Sequence, residues 1–109
     1  MKIMKLADMK GGWFVGDFQP TILQSPEFEV GIKRYRAGDQ ESTHVHKMAT
    51  EITVIVEGRV RMKGQEFAKG DIVLIEPGEA CDFHALEDTI TAVVKTPSHP
   101  SDKYLVDYA

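Results

Sequence analysis

The chain has a single cysteine, Cys81, among its 109 residues. That excludes an intrachain disulfide and fits a reducing compartment. A chain of this length can bury about two-thirds of the surface its unfolded form exposes, so one core forms without covalent staples. No apolar run approaches the roughly 18 residues of a membrane span. The N-terminal stretch MKIMKLADMKGG lacks the apolar centre of a signal peptide. These absences lead us to expect a cytoplasmic, soluble protein folded as one domain over residues 1–109. An excess of basic residues is also missing. The formal net charge is −4 and the pI about 5.5, which argues against a nucleic-acid partner. There is no G-x-S-x-G, no P-loop and no G-x-G-x-x-G, so the familiar nucleophile and nucleotide signatures are excluded. Internal repeats and low-complexity segments are absent too.

What is present is punctuation. Gly31, Gly38, Gly58, Gly64, Gly70 and the pair Pro77–Gly78 cut the chain at short intervals. Between them lie runs rich in Val, Ile, Thr, Phe and Tyr, the pattern of an all-β sandwich or barrel. The runs predict strands at 13–18, 28–36, 43–46, 51–57, 60–62, 65–67, 71–75, 81–85 and 89–95. Gly58-Arg59 and Lys63-Gly64 read as tight turns. Glu76-Pro77-Gly78-Glu79 has proline second and glycine third, as a type II turn requires. The barrel core is expected over about 28–95, with residues 1–12 and 96–109 peripheral. The two prolines after Thr96 take the tail out of the sheet, and Tyr104, Leu105 and Tyr108 can dock it back.

Alternation is incomplete in two strands. EITVIVE carries Ile52, Val54 and Val56 on one face and Glu51, Thr53 and Ile55 on the other; DIVLIE is apolar on both. A strand covered on one side alternates more cleanly. The extra apolar face needs cover from a second sheet or a second copy, so a homodimer is expected.

The chemistry-bearing stretch is THVHKMATE, residues 43–51. His44 and His46, two apart on a strand, share a face. Glu51 is an odd number of residues from both, so Lys47–Thr50 must contain a turn or bulge if Glu51 is to join them. Imidazole with carboxylate suits a divalent transition metal and leaves positions open for water, substrate or dioxygen. The alternative is a hydrogen-bonded polar cluster without metal, in which Glu51 serves as an acid–base group. On the preceding strand Lys33 and Tyr35 share one face, Arg34 and Arg36 the other. Whichever pair points inward can hold an anionic group, and Tyr35 can donate a phenolic proton. Arg34, Arg36 and Phe83 are the substrate-binding candidates; Glu51 and Tyr35 are the catalytic ones. His99 is read as exposed and unrelated.

The spacing Gly38, five residues, His44, one, His46, four, Glu51, six, Gly58 resembles the first sequence motif of the cupin superfamily at every fixed position. GDIVLIEPGEACDFHALED, residues 70–88, is similar to the second. Over residues 30–95 the resemblance implies a double-stranded β-helix, or jelly roll, of two packed antiparallel sheets. It further implies a metal (Fe, Mn, Zn or Ni) near one mouth, and dioxygenase or isomerase chemistry on a small polar molecule, or else metal or ligand binding without turnover. The second motif departs where it matters. Glu76 stands at the first proline position, and the third histidine ligand aligns with Cys81. Three arrangements stay open: Cys81 coordinates as thiolate, a bulge turns His84 inward, or His44, His46 and Glu51 hold the metal with water.

Overall fold

The computed structural model describes residues 1–106. Two short 3-10 turns, Leu6–Asp8 and Lys10–Gly12, lead into eleven strands: β1 (Trp13–Gly16), β2 (Leu23–Gln24), β3 (Glu29–Tyr35), β4 (Gln40–Val45), β5 (Thr50–Glu57), β6 (Arg59–Met62), β7 (Gln65–Ala68), β8 (Ile72–Ile75), β9 (Cys81–Ala85), β10 (Thr89–Thr96) and β11 (Tyr104–Leu105). They form two sheets, one in the order β2-β1-β3-β10-β5-β8 and one in the order β11-β4-β9-β6-β7. All pairings are antiparallel except β1 with β2. The expected all-β jelly roll of two sheets is the architecture observed.

The strands follow from their side chains. In β9, Cys81, Phe83 and Ala85 are buried while Asp82 and His84 lie half-exposed, the period-2 pattern of a strand covered on one face. In β5, Thr53 and Ile55 face inward, and in β10 Thr91 and Val93 do. Ile55, Val60, Met62, Ile75, Cys81, Phe83 and Ala85 make one apolar cluster, with Tyr35, Phe67 and Val73 against it. This cluster plugs the barrel interior up to the level of Cys81 and Ile75, which pair with His44 and Glu51. The inward face turns polar toward the other end, where β3, β10 and β5 carry Glu29, Lys95 and Glu51 side by side in register.

Two features differ from expectation, each for a physical reason. β4 begins at Gln40 rather than 43 and carries a bulge, with Glu41 opposite Phe83 and His44 opposite Cys81. Three residues of β4 therefore span two of β9, so Glu41 and His44 share a face despite their odd separation. β2 and β11 are two residues long, too short for alternation to show. The tail leaves its sheet at Thr96 and returns on the other one, where Tyr104 and Leu105 pair with Val45 and His44. Lys47 Nζ sits 4.0 Å from the Tyr104 ring centroid. Tyr108 lies outside the described residues.

The outer face of the larger sheet stays uncovered. Ile72 is 69% and Leu74 52% exposed, and Val56 is exposed beside them.

Candidate functional site

The polar end of the barrel encloses a cavity of about 400 Å³, within the size range of small-molecule pockets. His44, His46, Glu51, Tyr35, Cys81 and Phe83 all line it. His84, Arg34 and Arg36 do not. β9 runs without a bulge of its own, so His84 keeps the face opposite Cys81 and Phe83; the bulge lies in β4 instead. Arg34 and Arg36 point outward and border a separate shallow depression with Asp39, Glu57 and Asp88. The inward pair is Lys33 and Tyr35. His99 is exposed but stands at the cavity rim.

The turn that brings Glu51 beside the histidines is held from the tail. The Asp102 carboxylate accepts hydrogen bonds from the backbone N–H groups of Lys47, Met48 and Ala49 at 2.8, 2.9 and 2.9 Å. These donors have no strand partner, because the chain is reversing between β4 and β5, and an ionised carboxylate satisfies three at once. Burial pushes the Asp102 carboxyl up, but the three donors outweigh it and the pKa falls below its ordinary value. The Gly78 N–H donates to His46 O at 2.7 Å, so the turn of the second motif also fixes this corner.

His46 is 4% exposed. Its Nδ1 donates to the backbone oxygen of Asp102, which leaves Nε2 as the lone-pair nitrogen. Nε2 is buried and has no hydrogen-bond partner. Glu51 Oε1 is 3.7 Å away, within ion-pair reach but beyond a hydrogen bond. The other oxygen, Oε2, accepts from Thr53 Oγ1 at 3.5 Å. His44 Nδ1 donates to Ser42 O at 3.0 Å, and its ring lies edge-on to His46 with centroids 5.1 Å apart. Both imidazoles thus have Nδ1 engaged by a backbone carbonyl, the arrangement that orients metal-ligating histidines.

The electrostatics separate the three groups. The neighbouring Glu51 carboxylate raises the pKa of His46 against the opposing effect of burial. Burial lowers that of His44. For Glu51, burial raises the pKa, yet His46, Lys95 and His44 together bring it below the ordinary value, so it is ionised at neutral pH. Burial drives the Cys81 thiol up to about 11, and its Sγ–H points to Asp82 O at 3.2 Å. At neutral pH Cys81 is a protonated thiol packed in the core. Burial also raises the pKa of Tyr35, whose ring lies 4.4 Å from that of Phe83.

The resemblance of residues 38–58 to the first cupin motif implies a metal here. Two metal bonds of about 2.1 Å each span at most about 4.2 Å, and the 3.7 Å between His46 Nε2 and Glu51 Oε1 is inside that limit. An unpartnered, buried imidazole nitrogen beside an ionised carboxylate fits a divalent transition metal in donor type and reach. Among the described residues no group of three or more His, Cys, Asp and Glu side chains is already gathered at one metal-binding point. The fit therefore rests on the His46–Glu51 pair, with His44 as the neighbouring donor.

No protein-family model matches the chain, and no curated protein does. Solved structures do. A Klebsiella pneumoniae protein with a double-stranded β-helix domain superposes with a TM-score of 0.72 at 17% identity, over 96% of this chain and 91% of that one. The chain has the cupin fold. A sugar phosphate isomerase of the cupin superfamily from Silicibacter pomeroyi matches at TM-score 0.65 and 21% identity, over 74% of this chain and 57% of that one. Oxalate decarboxylase from Bacillus subtilis matches at 0.64 and 20%, over 75% of this chain and 24% of the enzyme. At these identities the likeness speaks for the barrel and not for a reaction.

Several residues that shape this cupin cavity were not singled out from sequence. Asp102 sits among tail prolines, with no local pattern to mark it. Lys95 could have been found from its two-residue spacing to Val93, which places both on the inward face.

Proposed function

We propose that this cupin barrel binds a divalent transition metal through His44, His46 and Glu51 and acts on a small polar molecule in its cavity. The observation that supports this reading is the buried, unpartnered Nε2 of His46, aimed at an ionised Glu51 while Nδ1 is held by the tail. A metal bound there would supply Lewis acidity toward a ligand oxygen or a site for dioxygen. The protein's own groups do the rest. His46 and Glu51 fix the reacting end of the ligand. Tyr35, kept protonated by burial, offers a hydrogen-bond donor. Phe83 and the apolar plug beneath exclude water. Isomerase or dioxygenase chemistry is the reaction class we favour. One observation supports binding without turnover instead: Cys81 occupies the place of a further histidine and stays a thiol, leaving one protein donor fewer to hold the metal.

Elemental analysis tests the site. Purified wild-type protein is expected to carry close to one equivalent of Fe, Mn, Zn or Ni, and His46→Ala well under a tenth of that. Because the proton on His46 persists above its ordinary pKa of 6.5, metal and proton compete there, and affinity should rise with pH through that region. Equal metal in both proteins, or none in either, would remove the metal from this reading.

The reading includes a cytoplasmic location, which the lone reduced cysteine supports, and a second copy of the chain as partner. Ile72, Leu74 and Val56 form an apolar outer face of the kind that homodimers cover. Light scattering at micromolar concentration should give twice the chain mass for wild type and the single-chain mass for Leu74→Asp. A single-chain mass for wild type would end the dimer.

A further inference from the structure

Across the cavity from the imidazoles, a second polar group has no assigned task. Lys33 of β3 and Thr91 of β10 are paired in register, and both side chains line the cavity. Thr91 is 1% exposed, and its hydroxyl Oγ1 is buried without a hydrogen-bond partner. A hydroxyl left so is costly unless something in the cavity meets it. Lys33 forms no ion pair among the described residues. Its ammonium lies 5.4 Å from the Trp13 ring centroid, and Lys95 Nζ is 4.9 Å from the same ring. Lys95 does have a carboxylate near it, Glu29 at 4.0 Å. Lys33 has none so close: Glu41 acts on it from further off, while Lys95 and Lys103 repel it, and burial lowers its pKa. A partly buried cation repelled by two others, with an unsatisfied hydroxyl at the paired position of the next strand, favours an anion in this part of the cavity.

We propose that Lys33 and Thr91 form a subsite for an oxyanion, a carboxylate or phosphate carried by the ligand, with Lys95 as the flanking cation. The lysine supplies charge and the threonine hydroxyl a directed hydrogen bond. The ligand is then a small molecule with an anionic group at one end and, at the other, the polar group that meets His46 and Glu51. This deepens the reading of the cavity as a ligand site but does not depend on the metal.

Trp13 is the only tryptophan and sits under the two lysines, so its fluorescence reports on this subsite. The test titrates inorganic phosphate, and separately acetate, into chelator-treated protein, with chloride at matched ionic strength as control. Amide NMR shifts on the same samples give a second readout. We expect a saturable change with at least one of the two anions and none with chloride; the tighter of the two identifies the group as phosphate or carboxylate. Losing a charge-assisted contact in Lys33→Met should weaken binding about tenfold or more, and losing the neutral hydroxyl in Thr91→Val about threefold. Lys69→Met, which removes an exposed charge outside the cavity, should bind the anion as wild type does. No saturable response in wild type overturns the subsite, as does an undiminished response in both Lys33→Met and Thr91→Val. A loss in Lys69→Met as large as in Lys33→Met would make the response one of overall charge and equally overturn it.

Discussion

Asp102→Ala should lower the unfolding free energy by about 3 kcal/mol, read as a fall in the urea midpoint at unchanged slope. Three backbone N–H groups donate to this one carboxylate. Hydrogen bonds to a charged acceptor contribute about 1.5–3 kcal/mol each, so simple addition would overshoot. Lys47 and Met48 are exposed, and water can take over part of what their N–H groups lose. Ala49 is buried, and its donor would be orphaned. Ala49 then counts for one such bond in full and the other two for part of theirs, which gives about 3 kcal/mol rather than the sum. Asp102→Asn keeps one acceptor oxygen and should lose less. The sign with pH follows from the lowered pKa. Asp102 contributes its full stabilisation above its ordinary value of 3.8 and loses it as the pH falls through the lower folded value. Wild type and Asp102→Ala should thus differ most at neutral pH and converge on acidification below 3.8. If the two proteins unfold together at neutral pH, the tail does not hold the turn.

The same clamp shows what was legible in the amino-acid sequence. The need for a bend between His46 and Glu51 can be read from parity alone, since an odd separation puts two side chains of one strand on opposite faces. What supplies the bend cannot, because Asp102 is more than fifty residues further along. The β4 bulge is hidden for a related reason. It exists only in the register between Glu41–His44 and Cys81–Phe83, and a register belongs to two strands. Parity also separates Lys33 and Tyr35 from Arg34 and Arg36 without saying which pair faces inward. That depends on Gly31 and Lys33 pairing with Val93 and Thr91 across the sheet. The strands themselves were legible because burial on one face imposes alternation over four to eight residues, and the fold followed from their punctuation. β2 and β11, two residues each, fall below that length.

The two glycines that bracket the first motif look equivalent in sequence and should behave differently when replaced. Gly38 and Gly58 have φ values of +94° and +92°, a region where a β-carbon is strained by roughly 1–2 kcal/mol. Around Gly38 an added methyl would meet nothing within 4 Å, so Gly38→Ala should cost little more than that strain. At Gly58 the methyl would lie 2.4 Å from the backbone oxygen of Asp88 and 2.9 Å from the Thr89 Cα. These are main-chain atoms where β10 begins, beside the buried Thr89, and no side-chain rotation can relieve the collision. Either the β5–β6 turn or the start of β10 must move, and both carry inward-facing residues of the barrel, Ile55 and Thr91. Gly58→Ala should therefore lose at least about 3 kcal/mol, a range reached when a packed interior is forced apart. Denaturant unfolding of the two variants side by side checks it. The fixed glycine before the histidines then answers to backbone conformation, and the one after Glu51 to the close approach of two strands.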